Sequence, residues 1–197
     1  MSRERERDLD PSFRERVDSF HLVPNLAQCL TCGKCVGNCP AAAQTPSYNS
    51  RQIIQDVLNG RVQRPLQSEE IWRCLWCANC FQVCPVDIHF PLLMMQLRYR
   101  AMEQGYGLRY VIPFVRFALR AREDGLTFAP AGKGRERIAR IRSAAGMTPW
   151  PEVSERARAE YQELFDRTGT TEWLQELAAR PENPVQFSYR KGRITGE

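Results

Sequence analysis

No stretch of this chain is apolar for long enough to cross a bilayer. The longest runs free of Lys, Arg, Asp and Glu are about 16 residues, short of the roughly 18 that a spanning helix needs, and the run after Lys34 is rich in Pro, Gly, Asn and Ser. Residues Met1 to Asp10 alternate Arg with acid and hold no apolar segment, so no secretory leader is expected and a reducing, cytoplasmic setting follows, in which disulfides do not persist. There is no Gly-rich dinucleotide fingerprint and no nucleophile elbow, and the expectation is no turnover by the chain alone and no catalytic residue to name. Only two histidines occur, His21 and His89. Ordinary packing or surface roles are expected of both. Cysteine is absent beyond residue 84.

Before that point stand eight cysteines in two copies of one spacing: Cys29-x2-Cys32-x2-Cys35-x3-Cys39-Pro40 and Cys74-x2-Cys77-x2-Cys80-x3-Cys84-Pro85. Three cysteines two residues apart wrap three corners of a cubane from one short loop, and the fourth thiolate must come from elsewhere. In two-cluster ferredoxins the last cysteine of each run reaches the other cluster. The spacing therefore predicts two 4Fe-4S clusters, one held by Cys29, Cys32, Cys35 and Cys84, the other by Cys74, Cys77, Cys80 and Cys39. Crossed ligation would hold the clusters close together, as a carrier of single electrons requires. Zinc is the main rival, because two sites of four thiolates would also use all eight. Zinc sites, however, use paired pairs rather than a triplet and a fourth cysteine before proline. With eight ligands for two clusters, no iron is left open to act on substrate.

Sliding the chain on itself by 45 residues superposes all eight cysteines, Pro40 on Pro85, Leu30 on Leu75, Pro46 on Pro91 and Gly60 on Gly105. Each copy reads as a cysteine loop, a proline able to occupy a first helical turn, about three turns of chain and a glycine able to end the helix in the left-handed region. In the first copy Ile53, Ile54, Val57 and Leu58 share one face, with Arg51, Gln52, Gln55 and Asp56 opposite. From Pro91 to Gln104 the apolar arc is wider, so this helix is expected to be the more buried. Ser68-Glu69-Glu70 reads as the start of another helix. The fold class predicted is all-α: an alpha-helical ferredoxin with a helical C-terminal extension. Its divisions are a flexible charged N-terminus over 1–19, the two-cluster domain over 20–107, a basic helical extension over 108–180 and a flexible tail over 181–197.

The two loops differ in chemistry. Thr31, Gly33, Lys34, Gly37 and Asn38 make the first small and polar, whereas Trp72, Leu75, Trp76, Phe81 and Val83 make the second apolar and aromatic. A relay between sites of unequal potential and simple completion of a small core both account for Trp76 and Phe81.

The formal charge of +5 is uneven. Residues 109–142 carry nine basic and three acidic side chains, the remainder being nearly balanced. A helix from Leu108 to Arg122 would place Val111, Phe114, Val115, Ala118 and Leu119 on one face and Arg109, Arg116 and Arg120 on the other, with Pro113 near its start. Lys133, Arg135, Arg137, Arg140 and Arg142 follow on a second short helix from about Gly134 to Ala144. These cations are either a solvated face or a surface that steers an acidic partner. Thr148-Pro149-Trp150-Pro151 forces an extended link. Two further helices are expected, from Ser154 to Arg167 with Leu164 and Phe165 inward, and from Thr171 to Arg180 with Trp173, Leu174 and Leu177. The tail after Pro181 is too short for its own core and is expected to fold, if at all, against a partner.

The paired cysteine runs, Ser50-Arg51-Gln52-Ile53-Ile54, Ile71-Trp72-Arg73-Cys74 and the basic amphipathic helix after them resemble the small two-cluster C subunit of heterodisulfide reductase over roughly residues 20–150. The resemblance implies a helical two-cluster ferredoxin, a hetero-oligomer without a membrane span and a carrier of electrons between a flavoprotein, the flavin-containing A subunit, and a CCG-type cluster protein, the B subunit. It implies that all eight cysteines are ligands. Relay subunits of glycolate, glycerol-3-phosphate and fumarate or succinate oxidoreductases share similar runs, but those add CCG-type or plant-type cluster domains that this sequence lacks. A cluster-containing regulator that binds nucleic acid is the alternative of a different class; the repeat supplies no helix with evident base-reading side chains, so no nucleic-acid partner is expected.

Overall fold

The structure, a computed structural model, describes residues 9–126 and 132–179, and the backbone of 187–190 and 193–196. Residues 1–8, much of the Gly/Pro loop expected at 124–133 and most of the tail fall outside the described residues. The chain forms two compact units, Met1–Gly107 and Leu108–Glu197.

In the first unit α1 (Phe13–Val17) is followed by a 3-10 turn (Leu26–Gln28), the cysteine-loop helix α2 (Lys34–Gly37) and α3 (Pro40–Gln44). Next come α4 (Ser50–Leu58), α5 (Gln63–Gln67), α6 (Glu70–Arg73), the second cysteine-loop helix α7 (Asn79–Gln82) and α8 (Phe90–Glu103). Asn49 caps α4, its side-chain oxygen accepting from Gln52 N–H at 3.0 Å, a contact of the kind that contributes about 1 kcal/mol. The apolar stripe of α4 is buried as its periodicity requires, through Ile53, Ile54 and Val57. Gly60 ends the segment with φ of 68°. A Cβ there would stand 2.3 Å from the Asp10 carbonyl oxygen, so glycine is needed for the close approach that lets Asp10 N–H donate to Gly60 O at 2.7 Å. Helix α8 is buried over the wider arc expected, through Phe90, Pro91, Leu93, Met94, Gln96, Leu97 and Ala101.

Two expectations need correction here. The stretch after residue 9, read as part of a flexible arm, supplies Phe13 and Val17 to the core at 2% and 1% exposure. It is tied down by Asp18, whose buried carboxylate accepts from Leu22 and Val23 N–H and from the Gln96 side chain at 2.8 Å. Asp56, placed on the polar face of α4, is 2% exposed. Arg61 and Arg64, from the chain just beyond the helix, come back to pair with it at 3.1 and 3.0 Å, and the Gln52 amide donates to it as well. A carboxylate so supplied with partners is tolerated in a core that would reject it alone.

The second unit holds α9 (Leu108–Asp124), α10 (Gly132–Ala144), α11 (Glu155–Arg167), α12 (Thr170–Ala179) and an antiparallel hairpin of β1 (Phe187–Arg190) and β2 (Arg193–Gly196). Helices α9, α11 and α12 pack on one another, and Arg122 pairs with Asp166 across them at 2.9 Å. Ser154 caps α11 by accepting from Ala157 N–H. Val115, Leu174 and Leu177 are buried as expected, but Phe114 and Leu164 are 55% and 56% exposed, because the apolar stripes of their helices are wider than the faces covered among the described residues. The hairpin had no counterpart in the sequence reading, which gave no strand anywhere. Among the described residues every other regular element is helical.

Candidate functional site

The two cysteine motifs are built alike down to the backbone. Thr31 and Trp76, 45 residues apart, have φ of 52° and 55°, and Gly33 and Ala78 have φ of 78° and 63°. These left-handed residues turn the chain sharply enough to bring three cysteines of each run around one space. The helix that follows is then fastened by repeated bonds: Val36 and Gly37 N–H donate to Gly33 O, as Phe81 and Gln82 N–H donate to Ala78 O. Cys39 N–H donates to Val36 O, and Cys84 N–H to Phe81 O. The two cysteine-loop helices pack against each other.

Two cavities result. One is lined by Cys29, Cys32, Cys35, Cys80 and Cys84, and by Leu30, Gly33, Lys34 and Arg51. The other is lined by Cys39, Cys74, Cys77 and Cys80, with Leu75, Ala78, Asn79, Tyr48 and Ser50. Phe90 lines both. The thiols surround space rather than converge on a point: among the described residues no three His, Cys, Asp or Glu side chains meet closely enough for a single ion. Sets of soft thiolate donors around a void suit an iron-sulfur group. Cys32 and Cys77 are exposed, the other six partly buried, so each cavity comes nearest to solvent at the second cysteine of its motif.

Two of the thiols, Cys80 and Cys35, resist ionisation. Burial pushes Cys80 up to about 12, and the neighbouring Cys74 charge adds to the effect. Burial also raises Cys35, against the nearby Ser50 hydroxyl, which pulls the other way, and Cys29 and Cys32 raise it further. Loading of metal must displace these protons.

Beneath the second cavity lie two hydroxyls that sequence reasoning did not single out as part of a site. Tyr48 and Ser50 are 1% and 0% exposed, and neither hydroxyl has a partner at hydrogen-bonding geometry among the described residues. Their only sequence signal is their position, polar residues between a cysteine motif and an amphipathic helix. Burial, together with the Cys74 and Cys39 charges, keeps the Tyr48 phenol well above its ordinary range. Arg98 is another residue the reading missed. From α8 it donates to Ile71 O at 2.8 Å and Cys74 O at 2.7 Å, which fixes the entry to the second motif.

Trp76 and Phe81 line neither of these cavities. The Trp76 indole N–H donates to Pro91 O at 2.8 Å, while Phe81 stacks on His89 with ring centroids 3.8 Å apart. Both contacts support packing at the start of α8. No helix among the described residues is long and apolar enough to cross a membrane.

Residues 25–88 match the family described as 4Fe-4S dicluster domain. The chain is 31% identical over 109 residues to the iron-sulfur C subunit of the CoB--CoM heterodisulfide reductase of Methanopyrus kandleri, an alignment covering 52% of this chain and 56% of that protein. Identity is 34% over 83 residues to the C2 subunit of the H(2)/formate:CoB-CoM heterodisulfide,ferredoxin reductase of Methanococcus maripaludis, covering 42% and 44%. With the second iron-sulfur C subunit of the CoB--CoM heterodisulfide reductase of Methanocaldococcus jannaschii it is 28% over 163 residues, covering 77% and 81%. The chain thus spans about half the length of the first two relatives and four-fifths of the third. Residues 25–88 are a 4Fe-4S dicluster domain carrying the eight cysteines for two clusters, and the chain is a homologue of the iron-sulfur C subunits of heterodisulfide reductases.

Proposed function

We propose that the chain is the electron-transfer subunit of a heterodisulfide-reductase-like complex, relaying single electrons between a flavin-containing subunit and a CCG-type cluster subunit. The observation that carries this reading is the pair of adjoining four-thiol cavities, with Phe90 and Cys80 common to both linings. The ligand sets proposed are Cys29, Cys32, Cys35 and Cys84 for one cluster and Cys74, Cys77, Cys80 and Cys39 for the other. When bound, such clusters take up and release one electron at a time, at potentials set by charge, burial and hydrogen bonds to sulfur. The protein's part is to hold them side by side, to exclude water at the inner edge with Phe90 and the core, and to leave an outer edge near Cys32 and Cys77 where a redox partner can approach.

The exposed cations Arg109, Arg116 and Arg120 of α9, and Lys133, Arg137 and Arg140 of α10, would steer an acidic partner. The setting proposed is cytoplasmic.

Anaerobic purification of the tagged chain from its native host, with identification of the proteins that remain bound, tests the reading. Co-purification of a flavoprotein and a CCG-type cluster protein is the expected result. Recovery of a different dehydrogenase would move the chain to another relay system, and a chain that binds no redox partner would sink the proposal.

A further inference from the structure

The tyrosine beneath the second cavity is unusual in three respects. Its side chain is buried at 1% exposure, its hydroxyl has no partner at hydrogen-bonding geometry among the described residues, and it lines the cavity of Cys39, Cys74, Cys77 and Cys80. A buried hydroxyl without a partner is unfavourable, and phenylalanine would fill the same volume without that penalty. The hydroxyl lines a cavity of thiols, so the partner its surroundings offer is a sulfur held there. The internal repeat sharpens the point. Residue 48 falls on residue 93 at the offset of 45, and residue 93 is Leu93, fully buried and apolar. The linings otherwise correspond well: Cys29, Leu30, Cys32, Gly33 and Cys35 of one match Cys74, Leu75, Cys77, Ala78 and Cys80 of the other. The hydroxyl was therefore placed in one half of a duplicated frame and is absent from the equivalent position of the other.

Resting on the two-cluster reading above, we propose that Tyr48 is a positioning residue for electron transfer: its hydroxyl donates a hydrogen bond to a sulfur of the group held by Cys39, Cys74, Cys77 and Cys80 and raises the reduction potential of that site alone. The physical reason is that the reduced state carries one more negative charge. A donor aimed at sulfur favours that state over the oxidised one, and it does so more strongly in a buried site than in water. This contact adds to the inequality already set by Lys34 and Arg51, which line the other cavity and not this one.

The test is an anaerobic redox titration of the full chain followed by electron paramagnetic resonance, beside iron and sulfide analysis of each sample. In Tyr48→Phe one midpoint is expected to move to more negative potential, the reduced-to-oxidised ratio at fixed potential falling three- to tenfold, where tenfold is about 59 mV for one electron. The other midpoint stays, and one coupling to an exchangeable deuteron is lost from the reduced signal in heavy water. Tyr48→Leu, which copies the residue at 93, is expected to give the same shift, so that the outcome does not hang on one variant. Unchanged midpoints and couplings in a variant that holds both clusters would overturn the proposal while leaving the two-cluster reading intact. Wild-type protein that assembles no 4Fe-4S cluster would overturn that reading and the proposal together, and the iron analysis separates the two failures.

Discussion

Ala78 has φ of 63° at the position where the first copy of the repeat has Gly33 with φ of 78°. An L-residue in the left-handed region is disfavoured by about 1–2 kcal/mol, and glycine escapes this at the expense of about 0.4–1 kcal/mol of extra unfolded-chain entropy. The difference favours glycine. Ala78→Gly is accordingly expected to stabilise the cluster unit by about 0.5–1 kcal/mol, seen as a rise of roughly 2–6 °C in the anaerobic thermal midpoint. A fall in the midpoint would mean that the Ala78 methyl makes contacts worth more than its backbone strain. Gly60 is the opposite case. The left-handed φ and the 2.3 Å approach of the Asp10 carbonyl leave no room for a side chain, and Gly60→Ala should destabilise by at least about 2 kcal/mol in the same measurement. An unchanged midpoint would show that the segment at Asp10 can lift away without loss.

At the scale of elements, α4 shows both what a sequence reading can see and where it stops. Its length, the residues of its buried stripe and its closing glycine follow from local pattern, because the period of 3.6 and the capping chemistry are written within about ten consecutive residues. Asp56 does not follow, since a charge beside an apolar stripe is ordinarily solvated and its burial depends on two arginines arriving from beyond the helix. Phe114, on the apolar face of α9, and Leu164, expected inward on α11, are the reverse case: both are exposed, because only the assembled helices determine how wide a covered face is. Asp56 gives a testable ordering. Asp56→Ala strands Arg61 and Arg64 and removes the acceptor of Gln52, and should destabilise by about 2–4 kcal/mol. Arg61→Ala or Arg64→Ala alone leaves the other cation in place, and because both arginine side chains are about half exposed, each should cost about 1 kcal/mol or less. Equal effects for the acid and either base in anaerobic thermal unfolding would contradict the pairing described.

For the molecule as a whole, the eight cysteines and their duplication made the kind of site legible in advance, since cluster chemistry dictates the spacing. Tyr48, Ser50 and Arg98 were not legible, because their roles arise from packing of α4, α6 and α8 rather than from any local motif. The division of the thiols is where the spacing and the geometry can be tested against each other. If the motifs were self-contained, Cys84 would act with Cys74, Cys77 and Cys80. In the structure it lines the cavity of Cys29, Cys32 and Cys35 instead, and Cys39 lines that of the second motif. Crossed ligation then predicts that Cys84→Ala and Cys32→Ala, 52 positions apart, lose the same cluster. Each should retain about half of the iron, and the two should leave one and the same resonance signal, while Cys39→Ala and Cys77→Ala leave the other. Self-contained motifs would pair Cys84→Ala with Cys77→Ala. The comparison needs no knowledge of the partner or of the direction of electron flow, and it asks directly whether neither half of the repeat can complete a site without a thiol from the other.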